Sequence, residues 1–325
     1  MTKILERSSP YVNLTKDQIQ KCIDPLDKET TIKDYRLATS GLANTNYIVT
    51  LSNDAKVVLR IHSNNNFDKG QKERKLSDLL YEIPEVPKVL YYQSKNNDGI
   101  SYSIIEFIPG VILPEIDNKE ALDSLYYEIG LMLAKLRSIK FPTSGLLGDQ
   151  LEIIPIKTKH IQYHGVTNFV LDCLDDDNLQ RRVNIDLIND VRNIVIQNDF
   201  LLLNTNEESH LVHGDFKIEN IIVDKSVDSK LHLSGVLDWE NARSDSSYGD
   251  IATLFRGDYI KNSANKIAFY EGFTKNGIIL IKDWDKVSKL IDLVNICYFL
   301  CSKNDRPILF KVMTEHLKNT INYCK

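Results

Sequence analysis

The sequence predicts an α+β chain in two lobes: a small β-rich N-terminal lobe over residues 1–108 and a larger, mainly helical C-terminal lobe over residues 109–325. Three observations lead there. A chain of 325 residues exceeds what one core of usual size holds, so a division is expected. Short runs rich in β-branched residues crowd the first hundred positions. After Pro109-Gly110 the apolar period changes to three and four residues.

Residues 47–51 and 56–62 are two such runs separated by Ser-Asn-Asp-Ala, which is turn chemistry, so an antiparallel hairpin is expected. Residues 67–81 carry Leu76, Leu79 and Leu80 behind a charged first half and are closed by Pro84 and Pro87, which predicts the one helix of this lobe, packed on the sheet. Strands at 88–93 and 100–107 follow, joined across Asn96-Asn97-Asp98-Gly99. In the second lobe Leu122, Leu125, Tyr126, Ile129, Met132, Leu133 and Leu136 recur at helical spacing, with Asp117 and Glu120 at N-cap and N3. Residues 141–180 read as irregular and include Asp172, Asp175, Asp176 and Asp177. A helix over 185–200 and short strands at 221–223 and 231–237 complete the outline.

Apolar residues make up 42% and charged residues 26%, ordinary usage for a folded globular chain. Lys and Arg number 40 against 45 Asp and Glu, so a net charge of −5 gives no general attraction to nucleic acid or to an anionic membrane. Five cysteines, an odd number without a C-x-x-C pair, suit neither a disulfide framework nor a zinc site and point to a reducing cytoplasm. The first residues lack the apolar stretch of a signal peptide, and no run is long enough to span a membrane. A cytoplasmic monomer or dimer is the expectation.

The chemistry concentrates in His213-Gly214-Asp215-Phe216-Lys217-Ile218-Glu219-Asn220, followed by an apolar strand and then Gly235-Val236-Leu237-Asp238-Trp239. An Asp, an Asn five positions later and a second Asp beyond an intervening hairpin is the order that phosphoryl transfer from ATP requires. A carboxylate must orient the attacking hydroxyl and accept its proton, which suits Asp215. Mg²⁺ bridging the phosphates wants hard oxygen ligands, which the amide of Asn220 and the carboxylate of Asp238 supply. The other reading is a solvated turn before an unremarkable hairpin.

His-Gly-Asp-x4-Asn, then Leu-Asp-Trp-Glu, then Tyr248-Gly249-Asp250-Ile251-Ala252 resembles the aminoglycoside phosphotransferase family, strongly over residues 211–254 and colinearly over 36–140. The resemblance implies a protein-kinase-like fold with ATP between the lobes and a small-molecule hydroxyl acceptor on the second. Ser40, Gly41 and Asn44 then sit in the loop that covers the phosphates. Arg60 stands where the kinase template has its strand Lys, with Glu73 as its helix partner. Arg offers a planar fork in place of a point charge, and the competing reading of Arg60 and Glu73 is a surface ion pair. Glu106 and Ile108 occupy the hinge that meets adenine, and Asp250 is the carboxylate tying its helix to the catalytic loop. His213 is expected to support that loop.

Eleven residues separate Asp238 from Asp250, too few for the activation segment and peptide platform of a protein kinase. Acidic residues at 172–177 and at Glu240, Asp245, Asp258 and Glu271 suit a cationic acceptor, or else form solvated faces. An antibiotic-resistance kinase of aminoglycoside type is the first functional expectation. A metabolite kinase acting on homoserine, choline, a sugar or a macrolide is the second, and a nucleotide-binding pseudokinase the third.

Overall fold

The computed structural model describes residues 6–7, 9–39, 43–63, 68–96, 99–116, 122–160, 162, 164–203, 209–225, 230–256 and 263–324. The chain opens with α1 (Lys16–Ile23), capped by a reciprocal box in which the Thr15 hydroxyl accepts from Gln18 N and the Gln18 side chain accepts from Thr15 N. Strands β1 (Ile32–Ala38), β2 (Thr45–Leu51) and β3 (Lys56–Ile61), helix α2 (Lys69–Leu79), and strands β4 (Val89–Gln93) and β5 (Tyr102–Glu106) follow. The five strands form one antiparallel sheet in the order β1-β2-β3-β5-β4.

Alternation decides which side chains each face presents. Tyr47, Val49, Leu51, Val57, Leu59, Ile61, Tyr102 and Ile104 pack with Ile19, Cys22 and Ile23 of α1 into a core of their own. Asn46, Ile48, Val58, Arg60 and Ile105 are left for the opposite face, toward the rest of the molecule. Two helices therefore serve this sheet, not the single one expected. The apolar stripe of α2 also goes elsewhere: Leu76 and Leu80 join the core of the second lobe.

Beyond Gly110, β6 (Val111–Ile112) pairs with β11 (Ile221–Lys225), which pairs with β12 (Leu231–Val236). Gly110 has φ +130, and a Cβ there would lie 2.5 Å from the Val223 carbonyl oxygen, so the connection needs glycine at this approach. Between these strands come α3 (Asp123–Arg137), β7 (Lys140–Phe141), β8 (Gly145–Leu147), β9 (Ile153–Ile154), α4 (Gly165–Leu174), α5 (Asp177–Arg182), α6 (Ile185–Gln197), α7 (Asp199–Leu203) and β10 (Ser209–Val212). After β12 the chain runs through β13 (Arg243–Asp245), α8 (Tyr248–Leu254), α9 (Ser263–Thr274), α10 (Trp284–Leu300) and α11 (Pro307–Cys324). The segment expected to be irregular thus holds three short strands and two helices. The N-cap of α3 is Leu122, without a side-chain cap bond, in place of the expected Asp117 with Glu120 at N3, two residues that lie outside the described ones.

One continuous core joins α3, α4, α6, α8, α9, α10 and α11 to the β11–β12 hairpin. Helices α3 and α9 approach closely through two glycines: a Cβ on Gly130 would lie 2.4 Å from the Phe269 carbonyl oxygen, and one on Gly272 would lie 2.1 Å from that of Tyr127. Among the described residues no helix is long and apolar enough to cross a membrane.

Candidate active site

The segment between β10 and β11 is built around two buried groups. Asp250, in the first turn of α8, accepts from His213 N (2.7 Å) and Gly214 N (2.8 Å). Burial pushes its carboxyl up, opposed by His213 and these two N–H bonds. The His213 ring is fully buried; its Nδ1 accepts from Asp215 N (3.2 Å), so Nε2 carries the proton donated to the Leu237 carbonyl (2.9 Å). Neither ring nitrogen is left for proton transfer, and His213 supports the loop.

Gly214 makes the turn. Its φ is +80, and a Cβ would lie 2.2 Å from the Asn241 carbonyl oxygen. The chain is thereby aimed so that Asp215 faces Asn220, whose Nδ2 donates to the Asp215 carbonyl (2.9 Å) and carboxylate (3.3 Å). Both contacts run through Nδ2, so Asp215 leaves the amide oxygen Oδ1 unused. The Asn220 carbonyl accepts from Leu237 N (2.8 Å), which draws the end of β12 alongside.

Asp238 follows directly and has left-handed backbone geometry, φ 71 and ψ 61. A non-glycine residue held there is a strained feature of the kind that gathers at functional sites. Its Oδ1 lies 3.2 Å from Arg60 Nη1. The same Nη1 meets Glu73 Oε1 on α2, and Arg60 Nε reaches Asn46 Oδ1 (3.3 Å). Arg60 and Glu73 are 9% and 5% exposed, which rules out the surface ion pair. Burial opposes the Arg60 charge, yet Glu73, Asp238 and Glu240 hold its pKa above the usual value. Glu73 is pushed up to about 7 by burial, with Asp238 and Glu240 adding to the push and Arg60 opposing it. Its Oε2 is buried without a hydrogen-bond partner.

Above Asp238, between the sheet and the hairpin, lies a cavity of about 380 Å³ lined in part by Ile48, Val58, Arg60, Glu106, Ile108 and Asp238. Ile108 packs on Gly235, where a Cβ would lie 2.9 Å from its Cγ2. The Glu106 amide donates to Lys88 O (2.8 Å), and its side chain is exposed, accepting from Lys88 N. Asn44 is held between the lobes: Nδ2 donates to Glu240 Oε2 (2.9 Å), and Oδ1 accepts from Ser63 N (3.1 Å). Ser40 and Gly41 lie outside the described residues. The structure therefore brings together Asp215, Asn220, Asp238, Arg60 and Glu73, with Glu106 and Ile108 on the cavity wall.

Sequence reading passed over two residues here. Lys217 Nζ lies 2.7 Å from Asp215 Oδ2; burial opposes its charge, but Asp215 holds its pKa above the usual lysine range. Lys69, at the start of α2, pairs with Glu240 (3.1 Å). A lysine two positions after the loop Asp was the available signal for the first. Nothing local marks the second, because its partner is 171 positions away. The acidic stretch is occupied at three of its four carboxylates. Asp172 accepts from Lys159 N and His160 N, Asp175 pairs with Arg192 (2.7 Å) and His160, and Asp176 caps α5.

The family described as the phosphotransferase enzyme family matches residues 34–288. No curated protein matches the sequence. Among solved structures, aminoglycoside phosphotransferase APH(4)-Ia is similar at 17% identity and a TM-score of 0.67, covering 95% of this chain and 99% of that one. The GDP complex of aminoglycoside 2'-phosphotransferase-IIIa is similar at 14% identity and a TM-score of 0.68, over 95% and 99% of the two chains. Choline kinase LicA from Streptococcus pneumoniae is similar at 14% identity and a TM-score of 0.64, again over 95% and 99%. At these identities the likeness shows a shared protein-kinase-like fold.

Proposed function

Because the chain belongs to the phosphotransferase enzyme family, we propose that it is an ATP-dependent kinase that moves the γ-phosphoryl group to a hydroxyl of a small molecule. The observation that carries this reading is the meeting of Asp215, Asn220 and Asp238 with the buried Arg60–Glu73 pair below a cavity of about 380 Å³. In this reading residues 1–108 hold the nucleotide and residues 109–325 the acceptor. Related structures hold AMP-PNP or GDP, which supports a purine nucleotide in the cavity against Glu106 and Ile108. The phosphate-covering loop takes in Ser40, Gly41 and Asn44.

The donor set fits Mg²⁺: an amide oxygen that Asp215 does not use and a carboxylate, both hard ligands, with none of the soft sulfur that would select another metal. Asn220 and Asp238 would hold the ion, which supplies neutralisation of phosphate charge when bound. Asp215 orients the acceptor hydroxyl and takes its proton. Arg60, kept in place by Glu73 and Asn46, clamps the phosphates, and Lys217 adds a cation beside Asp215 as charge builds on the transferred group. Positioning and charge, with no covalent intermediate on the protein, do the work.

The acceptor remains a class. Hygromycin B and kanamycin occupy complexes of similar structures, and an aminoglycoside is the first candidate. A metabolite kinase is the second, favoured by one observation: Asp172, Asp175 and Asp176 are already engaged by the chain's own N–H groups and cations. The test is a coupled screen for nucleoside-diphosphate release across aminoglycosides, macrolides and amino-alcohols. Acceptor-dependent release with any of them supports the kinase. Tight nucleotide binding without transfer to any acceptor, from a chain retaining Asp215, would favour the pseudokinase.

A further inference from the structure

The segment before α1 runs from one lobe to the other. The Glu6 carboxylate accepts from the first amides of α11, Ile308 N (2.6 Å) and Leu309 N (3.2 Å), on the second lobe. Its neighbour Arg7 reaches the first lobe: Nη2 donates to the carbonyls of Ala43 (3.2 Å) and Asn44 (3.1 Å), and Nε donates to Ser9 O (2.9 Å). The guanidinium lies over the Tyr11 ring, 3.7 Å from its centroid. Further along, Tyr11 OH donates to Thr39 O, Val12 N donates to Thr45 Oγ1, and Tyr47 OH donates to Val12 O while accepting from Leu14 N. The strap is thus fastened to the edges of the loop entering β2 and to α11.

That loop has a need the strap meets. Its sequence holds one glycine where a Gly-x-Gly-x-x-Gly phosphate loop holds three, so fewer of its positions are glycine. Carbonyl oxygens facing an anion repel it, whereas amide N–H groups attract it. Across a planar trans peptide the two point opposite ways, so binding the Ala43 carbonyl to Arg7 turns the Asn44 N–H away from Arg7, while binding the Asn44 carbonyl leaves the Thr45 N–H facing its ladder partner Ile61 on β3. Asn44 is then gripped from three directions: by Arg7, by Ser63 N and by Glu240, two residues past Asp238.

We propose that Arg7 is a positioning residue for the nucleotide's phosphates, acting through the backbone of Ala43 and Asn44 and anchored on the second lobe by Glu6. The inference rests on the kinase reading above. It is tested by equilibrium binding of Mg·ATP and of adenosine to the full chain as wild type, Arg7→Ala, Arg7→Lys and Glu6→Ala, with melting temperatures alongside.

Loss of two carbonyl contacts should weaken Mg·ATP about tenfold in Arg7→Ala while adenosine affinity moves less than about twofold. Arg7→Lys, which keeps a cation able to reach the carbonyls, should recover most of the loss, and Glu6→Ala should weaken Mg·ATP in the same direction by a smaller factor. Wild-type affinity for Mg·ATP in Arg7→Ala, equal losses for ATP and adenosine, or no recovery by lysine would overturn the proposal alone. A wild-type chain that binds no nucleotide would overturn the kinase reading with it. If Arg7→Ala does not fold, Arg7→Lys and Glu6→Ala give the same ATP-against-adenosine comparison.

Discussion

At the residue scale, the polar groups around the loop after β10 are fixed by one another and by buried supports. Asp250 holds His213 and Gly214, His213 holds Asp215 and Leu237, and Asn220 binds Asp215 through its amide N–H groups. Asp215→Ala should therefore lower phosphotransfer by about a hundredfold or more, since general-base loss is of that order, while Mg·ATP affinity stays within a few-fold; kinetics beside equilibrium binding checks the split. Asp238 separates strain from chemistry. Replacement by Gly removes the carboxylate but suits φ 71, so Asp238→Gly should melt above Asp238→Ala, by about 1 kcal/mol in denaturant titration, with both inactive.

His62 gives one separable part of the pH dependence. Burial, then Arg60, depresses its pKa to about 4, so between about pH 6.5 and 4 the unfolded chain takes up a proton that the folded chain does not. The His62 contribution to stability should fall as pH drops through that window, by at most about 3 kcal/mol, while Glu73, raised to about 7, contributes in the opposite sense. Compared with wild type, His62→Gln should lose less melting temperature as pH falls from about 6.5 to 4, and an unchanged difference between the two chains across that range would contradict the assignment. Legibility at this scale follows sequence distance. Asp215, Asn220 and Asp238 lie within one short stretch, with residue types set by the chemistry. Glu240, Glu6 and Arg7 act on partners tens to hundreds of positions away, which no local pattern encodes.

At the element scale, the sheet was legible because alternation exposes it. Residues 47–51 and 56–62 gave the hairpin to within two residues of β2 and β3, and period 2 carries Arg60 to the cavity face. Helix α1 was missed although Thr15 and Gln18 form a capping box before Ile19, Cys22 and Ile23; at eight residues it shows barely two turns of periodicity. Helices α4 and α5 were missed because they are short and their Asp residues, read as a charged run, are spent on caps and ion pairs. The destination of α2 was hidden too: its buried stripe includes Lys72 and Glu73, which composition assigns to solvent. The α3–α9 crossing yields the element-scale prediction. Gly272→Ala places a methyl 2.1 Å from the Tyr127 carbonyl oxygen and should cost about 2–4 kcal/mol, read by denaturant titration.

At the scale of the whole molecule, the two lobes meet where the sequence's chemistry collects. Arg60 meets Asp238, Lys69 meets Glu240, and Lys72 Nζ donates to Ala242 O (2.9 Å), all on the short turn that follows β12. Nucleotide phosphates entering there would exchange Arg60's contact with Asp238 for contacts of their own, freeing the carboxylate for the ion. Titration of ATP into the wild type and Asp238→Ala, with Mg²⁺ and with chelator, tests this most directly. The account predicts wild-type binding that strengthens with Mg²⁺ and an Asp238→Ala affinity at least about tenfold weaker, no longer answering to the metal. Equal Mg²⁺-dependent affinity in both chains would contradict it.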